Sequence, residues 1–439
     1  MTRPINADVP AVATGRRAAP EAPSPPSPKR RRKPVPGALK AVAGLFLLAI
    51  VFIVAAIVGG GGGGEEQAAE GPAPVSEAPS TPAEAPAAVT PEELGYPSFA
   101  TANTTRVGGG DPASTAAAAA LAAHPSTKPS QRPAAVTVVD AGDWRTAIAA
   151  AALVAPPIGA PVLVSDADGM PDPTAEALAA LAPSGGRDTG GAQVFAVGAA
   201  DAPDDLRAKR VRRAGAAGAA GLLALRKRLT GEAPRHIVVA ASADSAFAMP
   251  AAAWAARSGD PVLFTGREAL AKPTARALKA HPRTPVYVLG PSSVISSGVV
   301  REIAALAPRV RRVSGEDPVA NAIELARYSE GGFGWNVNDP GHGFVVANVS
   351  EPLDAAAAAP LSAAGAWGPL LLSDDPGTLP AALRSYLLDV KPGYTSNPTR
   401  AFYNHVWTIG DQEAISVNEQ AELDELAALV KIGGAGGEG

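Results

Sequence analysis

Arginine is the residue whose placement first suggests chemistry. Two basic groupings stand apart in the 439-residue chain: Lys209, Arg210, Arg212 and Arg213, then Arg309, Arg311 and Arg312, with Arg106 alone upstream. A guanidinium presents a planar fork of donors, so arginines gathered this way suit phosphate or carboxylate groups. Ion pairing between elements, or a solvated face, would use the same residues. Three aspartates, Asp111, Asp317 and Asp354, stand where helices are expected to begin. A carboxylate there either meets a ligand or accepts from the unpaired first N–H groups of the helix, and capping is the expectation.

Enzyme constellations are mostly missing. The sequence has no G-x-S-x-G, H-E-x-x-H or G-x-x-x-x-G-K-[ST]. G-x-G-x-x-G occurs only in the glycine run 59–64, which satisfies it trivially. The five histidines, His124, His236, His281, His342 and His405, lack the spacing of a metal pair on one helix, and His236 reads as a surface or edge residue. No catalytic residue, metal site or cofactor is expected, and the chain does not read as an enzyme. With no cysteine, disulfides, Cys-zinc sites and thiol catalysis are excluded.

Aromatic residues are unevenly spread. Ten of the 20 Phe, Trp and Tyr lie between Tyr328 and Trp407. Segment 329–343 (SEGGFGWNVNDPGHG) carries Phe333, Trp335, Asp339 and His342, and segment 392–405 adds Tyr394, Phe402 and Tyr403. Aromatic faces beside amides suit sugar rings, which makes Trp335 a candidate contact. The alternative is that the two segments pack on each other as a lid over the last part of the chain.

These residues sit on a pattern that recurs three times in constant order. The first anchor is an arginine before a short apolar-glycine run: Arg106-Val107-Gly108, Arg213-Ala214-Gly215, and Arg312-Val313-Ser314-Gly315. The second is Pro followed by apolar residues at Pro161, Pro261 and Pro369. The third is an apolar run closed by glycine at 194–198, 286–290 and 406–410. In the middle copy, 237–240, 261–265 and 286–289 read as strands, alternating with helices over 246–257, 273–280 and 297–306. Short continuous apolar runs separated by helices imply βαβ units with a parallel sheet covered on both faces. The fold class expected is α/β, with repeat 1 at 104–208, repeat 2 at 209–308, repeat 3 at 309–432 and a flexible tail at 433–439.

Ahead of the copies, 41–58 (AVAGLFLLAIVFIVAAIV) is 18 residues without charge or proline, long enough at about 1.5 Å per residue to span a bilayer core. Lys29, Arg30, Arg31, Arg32, Lys33 and Lys40 precede it, and Glu65 and Glu66 follow, so the positive-inside rule puts 1–40, read as a disordered basic tail, in the cytoplasm. The Gly then Pro/Ala/Glu-rich stretch 59–103 reads as a linker. Residues 1–64 carry nine Lys/Arg against Asp8 and Glu21, a net of +7, and residues 65–439 carry 29 Lys/Arg against 40 Asp/Glu, a net of −11. So acidic a body repels polyanions on average, which argues against nucleic acid and requires a local basic patch for any anionic polymer.

The unit resembles the type-2 cell-wall-binding repeat of Gram-positive surface proteins. The third copy carries the likeness best, in Arg312-Val313-Ser314-Gly315-Glu316-Asp317, Leu353-Asp354-Ala355 with Ala359-Pro360-Leu361-Ser362-Ala363, and Pro369-Leu370-Leu371-Leu372-Ser373. The middle copy lacks the opening aspartate, and Thr146 and Phe247 replace Asp354 in the other two. The resemblance covers roughly 104–430. It implies three tandem Rossmann- or Toprim-like modules packed as a pseudo-trimer. It also implies non-covalent, non-catalytic binding of a wall polymer, an anionic polysaccharide or peptidoglycan. Arg106, Arg213, Arg312, Asp111, Asp317, Asp354 and Trp335 are the candidate ligand contacts. Together with the apolar segment, this makes the chain a single-pass membrane protein facing the wall. A degenerate envelope scaffold, or a wall hydrolase with its site in the third copy's insertions, are the alternatives.

Overall fold

The computed structural model describes residues 99–166, 169–365 and 368–433. The chain divides into two units, 1–83 and 84–439, and all described residues fall in the second. The expected membrane span 41–58, the cytoplasmic tail and nearly all of the linker lie outside the described residues. Among the described residues, no helix is long and apolar enough to cross a membrane.

Besides the short edge strand β1 (Phe99–Ala100), the strands form three parallel four-stranded arrays. β3 (Val136–Asp140), β4 (Val162–Ser165), β5 (Val194–Val197) and β6 (Ala208–Val211) lie in the order β4-β3-β5-β6. β7 (Ile237–Ala241), β8 (Val262–Thr265), β9 (Val286–Leu289) and β10 (Val310–Val313) repeat that order as β8-β7-β9-β10. The third array takes β11 (Gly343–Asn348), β12 (Leu370–Ser373) and β14 (His405–Ile409) from the end of the chain, and its fourth strand is β2 (Thr104–Val107) from the beginning. A small ladder of β13 (Gly393–Tyr394) and β15 (Val430–Lys431) stands apart. The expected alternation of strands and helices holds.

The prolines of the second anchor open corresponding elements. Pro161, Pro261 and Pro369 precede β4, β8 and β12, each at an array edge, where a residue lacking N–H costs no ladder bond. Their carbonyls accept from Thr137, Val238 and Val345 at 2.8, 2.9 and 3.1 Å, starting the pairing with the central strand.

Sequence copies and sheets are out of phase. The strand carrying the arginine anchor completes the sheet of the preceding unit, and the helix after it crosses to the next sheet. Helix Pro112–Ala123, after β2, packs on β4; helix Gly215–Thr230, after β6, packs on β8; helix Pro318–Arg327, after β10, packs on β12. These contacts close a ring through the two ends of the body. Inside it, helix Trp144–Ala150 and the turn Ala151–Leu153, helix Pro250–Ser258, and helix Pro352–Ala357 with the following turn pack on one another. Alanine explains how. Residues Ala147, Ala150, Ala251, Ala252, Ala255, Ala356 and Ala357 are fully buried, and a methyl side chain lets helices approach closely without entropic cost.

Candidate functional site

In open parallel sheets ligands bind beyond the carboxyl ends of the strands, where the strand order reverses. Each array here has such a point between its first and third strands, and two of the three arginine anchors reach the loop beside it. Arg106 pairs with Thr408 in the β2–β14 ladder, and Arg312 with Val288 in the β10–β9 ladder. Arg106 is buried, and its guanidinium donates to the Gly410, Asp411 and Ile415 carbonyls at 3.1, 2.5 and 2.5 Å and to Gln420 Oε1 at 3.0 Å. Burial pulls its pKa below the ordinary arginine range, against the opposing charges of Asp411 and Glu419. Arg312 repeats the arrangement, donating to the Gly290 and Ile295 carbonyls at 2.5 and 2.7 Å. Both arginines hold the glycine-closed loop after the third strand. Their forks grip backbone, not solvent.

Arg213 does not join them. It lies exposed beyond β6, and the residue in register is Arg210, paired with Ala196 and 3.3 Å from Asp201 Oδ1. The middle copy is one residue shorter between strand and helix, so matching the nearest arginine to a glycine picks the wrong residue.

The aspartates of the first anchor are caps. Asp111 accepts from the Ala113 and Ser114 amides, both at 2.9 Å, and Asp317 accepts from Ala320 N at 2.7 Å. Helix Gly215–Thr230, which begins after Ala214, has no cap of its own. Asp143 supplies one from a neighbouring helix, its carboxylate accepting from Gly215 N at 2.6 Å and from the Thr146 hydroxyl. The lost aspartate is thus replaced in space though not in sequence.

Asp354 behaves differently. It sits in the first turn of helix Pro352–Ala357, 4% exposed, against the Gly410 loop. Burial, with the charges of Glu351, Asp411 and Asp111, pushes its carboxyl up to about 8. At the corresponding place in the middle unit Phe247 lies against Gly290, filling the point with a ring. Among the described residues, no group of three or more His, Cys, Asp or Glu side chains is arranged to hold a metal ion.

The aromatic insertion belongs to the middle sheet, which corrects the expectation of a lid over the last unit. Phe333 is buried and stacks on Tyr287 of β9 at 3.8 Å between centroids, with Trp254 at 4.9 Å and His236 at 5.7 Å. Trp335 packs edge-on against Trp254. The two insertions do meet, through the Gly341 and His342 amides donating to Asn404 Oδ1 at 2.9 and 3.2 Å. His236, expected at a surface or edge, is buried: Nδ1 lies 2.9 Å from Asp260 Oδ2 and Nε2 lies 3.2 Å from the Gly331 carbonyl. Burial lowers its pKa, but the bond to Asp260 and that carboxylate's charge outweigh it and the net shift is upward.

One stretch of open basic surface borders a pocket. Arg187, Lys209, Arg210 and Arg228 line a pocket of about 490 Å³ beside β6. Lys209 was legible as part of a basic run. Arg187 and Arg228, distant in sequence, gave no signal.

Residues 214–300, which span β7, β8 and β9, match the family Cell wall binding domain 2 (CWB2). Two solved structures share the fold. Cwp6 from Clostridium difficile is 17% identical with a TM-score of 0.59, the match covering 75% of this chain and 48% of that one. Cwp8 from Clostridium difficile is 17% identical with a TM-score of 0.52, covering 74% and 52%. The chain thus spans about half the length of each. No curated protein matches it. Residues 214–300 thus match a cell wall binding domain of the CWB2 type, and the two solved structures share the fold of the chain around it.

Proposed function

We propose that this protein is a non-catalytic tether, held in the membrane by residues 41–58, whose ring of three units holds an anionic or glycan polymer of the cell wall. One observation carries the reading: the segment that matches the wall-binding family is one of three like-ordered units closed into a single ring. The chemistry of the strand ends supports a binding rather than a catalytic role. Their arginines are engaged with backbone carbonyls, and in the middle unit the reversal point is filled by Phe247. Contact with the polymer then falls on exposed side chains, Arg213 among them, and on the rim of the insertions near Trp335.

Sedimentation of residues 99–433 with purified wall, at low and high salt, tests the reading. Retention that weakens as salt rises is expected, because exposed charge pairs are screened. No retention at any salt would overturn it. Membrane fractionation of the full chain against a chain lacking 41–58 tests the anchor: loss of the full chain from the membrane pellet would remove that part.

A further inference from the structure

The three arrays carry equivalent positions on their fourth strands, at the sheet edge in the first two and covered by β1 in the third, and these positions differ in what neutralises them. In the middle array Arg311, opposite Tyr287, meets the carboxylate of Glu330 at 3.0 Å, and Arg309 approaches the same group at 3.7 Å. Glu330 stands three residues beyond the end of helix Pro318–Arg327, where the insertion begins. In the array of β2, Thr105 takes the place of Arg311, bonded to His405 Nε2 at 3.1 Å, and there is no cation to neutralise.

In the first array Lys209 holds the position, opposite Phe195. Among the described residues its ammonium donates only to the Thr189 and Gly190 carbonyls, at 3.0 and 2.9 Å. The last two turns of helix Gly215–Thr230 bring Arg228 and Leu225 to the same corner, and the loop before β5 brings Arg187. The guanidinium groups of Arg187 and Arg228 make no hydrogen bond or ion pair among the described residues. Asp201 pairs with Arg210 at the pocket's margin, 3.3 Å away. Three cations therefore face a pocket of about 490 Å³ at the corner where the neighbouring unit supplies its own carboxylate. Like charges so gathered repel one another unless an anion joins them.

We propose that Lys209, Arg228 and Arg187 form an anion-binding site for a phosphate or carboxylate group of a ligand, in the place that Glu330 occupies beside Arg311. The site's charge stands on this geometry; that the anion belongs to a wall polymer rests on the function proposed above. Apolar Leu225 at the pocket wall suits a ligand that is a substituted chain rather than a bare ion.

Calorimetric titration of the full-length protein in detergent with a glycerol-phosphate oligomer, an oligogalacturonate of equal charge and a neutral chitin oligomer tests the site. Binding of at least one charged probe and not of the neutral one is expected, and the charged probe bound identifies phosphate or carboxylate. K209A/R228A weakens binding about tenfold or more, since each charge-assisted bond contributes on that scale. E330Q frees Arg309 and Arg311 and raises the number of sites from one to two, with its melting curve confirming the fold. Equal affinity of the K209A/R228A protein, or no charged probe bound, overturns the site. Wall retention unaffected by K209A/R228A would leave the tether intact without this site, whereas oligomer binding without wall retention would leave the site and remove the tether.

Discussion

Arg106 donates through Nη1 to the carbonyl of Gly410 at 3.1 Å, which pins β2 to a loop 304 residues further on. Replacing Arg106 by Met takes the guanidinium donor from three buried acceptors, the Gly410 and Ile415 carbonyls and Gln420 Oε1, while the Asp411 carbonyl keeps the Ile415 amide at 3.2 Å. Each unsatisfied group costs about 1–3 kcal/mol, so R106M is expected to lower unfolding free energy by about 3 kcal/mol or more. R312M, which strands fewer acceptors on a less buried residue, costs less. Urea unfolding of both proteins checks the order. Wall retention per folded molecule is unchanged in R312M if these arginines serve the fold.

Asp354 makes stability depend on pH. Its carboxyl titrates at about 8 in the folded chain against 3.8 when unperturbed. Between about pH 4 and 8 the folded state keeps a proton that the unfolded chain has released, so stability falls as pH rises across that window. Glu419, pushed up to about 7 chiefly by burial, acts in the same direction. D354N is expected to flatten the profile and to be more stable than the native protein at pH 8, read from melting temperatures over pH 4–9. An unchanged slope would show that the carboxyl is not held protonated.

Phe333 tests whether the aromatic insertion is core or contact. Removing a buried phenyl ring costs about 3–5 kcal/mol. F333A is expected to unfold at much lower urea than the native protein, because it also deprives Tyr287 of its stacked partner. W335A, on a half-buried ring, is expected to cost less; a larger effect on glycan binding than on stability would return Trp335 to the ligand side.

Gly368 precedes Pro369 where the backbone passes β11. A Cβ there would stand 1.6 Å from the Gly343 carbonyl oxygen, and backbone cannot move aside cheaply. G368A is expected to cost about 3 kcal/mol or more through displacement of β12. Native-like melting of G368A would contradict the strand placement.

Much of this body was legible before any coordinate. The strands 237–240, 261–265 and 286–289 were readable because fully buried parallel strands are continuous apolar runs bounded by proline and glycine, and their structural limits differ by at most one residue. Asp111 and Asp317 were readable as caps because capping is a contact within three residues. Arg213 misled, since a one-residue shortening between strand and helix leaves no mark in composition. His236 misled too: the Asp260 that makes its burial tolerable is 24 residues away.

The sequence by itself determined the element types, their order, their threefold recurrence and the lack of familiar catalytic motifs, because all of these follow from local spacing. Tertiary structure alone decided that β2 completes the sheet of β14, that Asp143 caps a helix 72 residues later, and that Glu330 neutralises one basic edge while another stays open. Those outcomes depend on which backbone edges pair and which side chains then face each other across tens to hundreds of residues. No local pattern encodes that choice; the closing of the ring does.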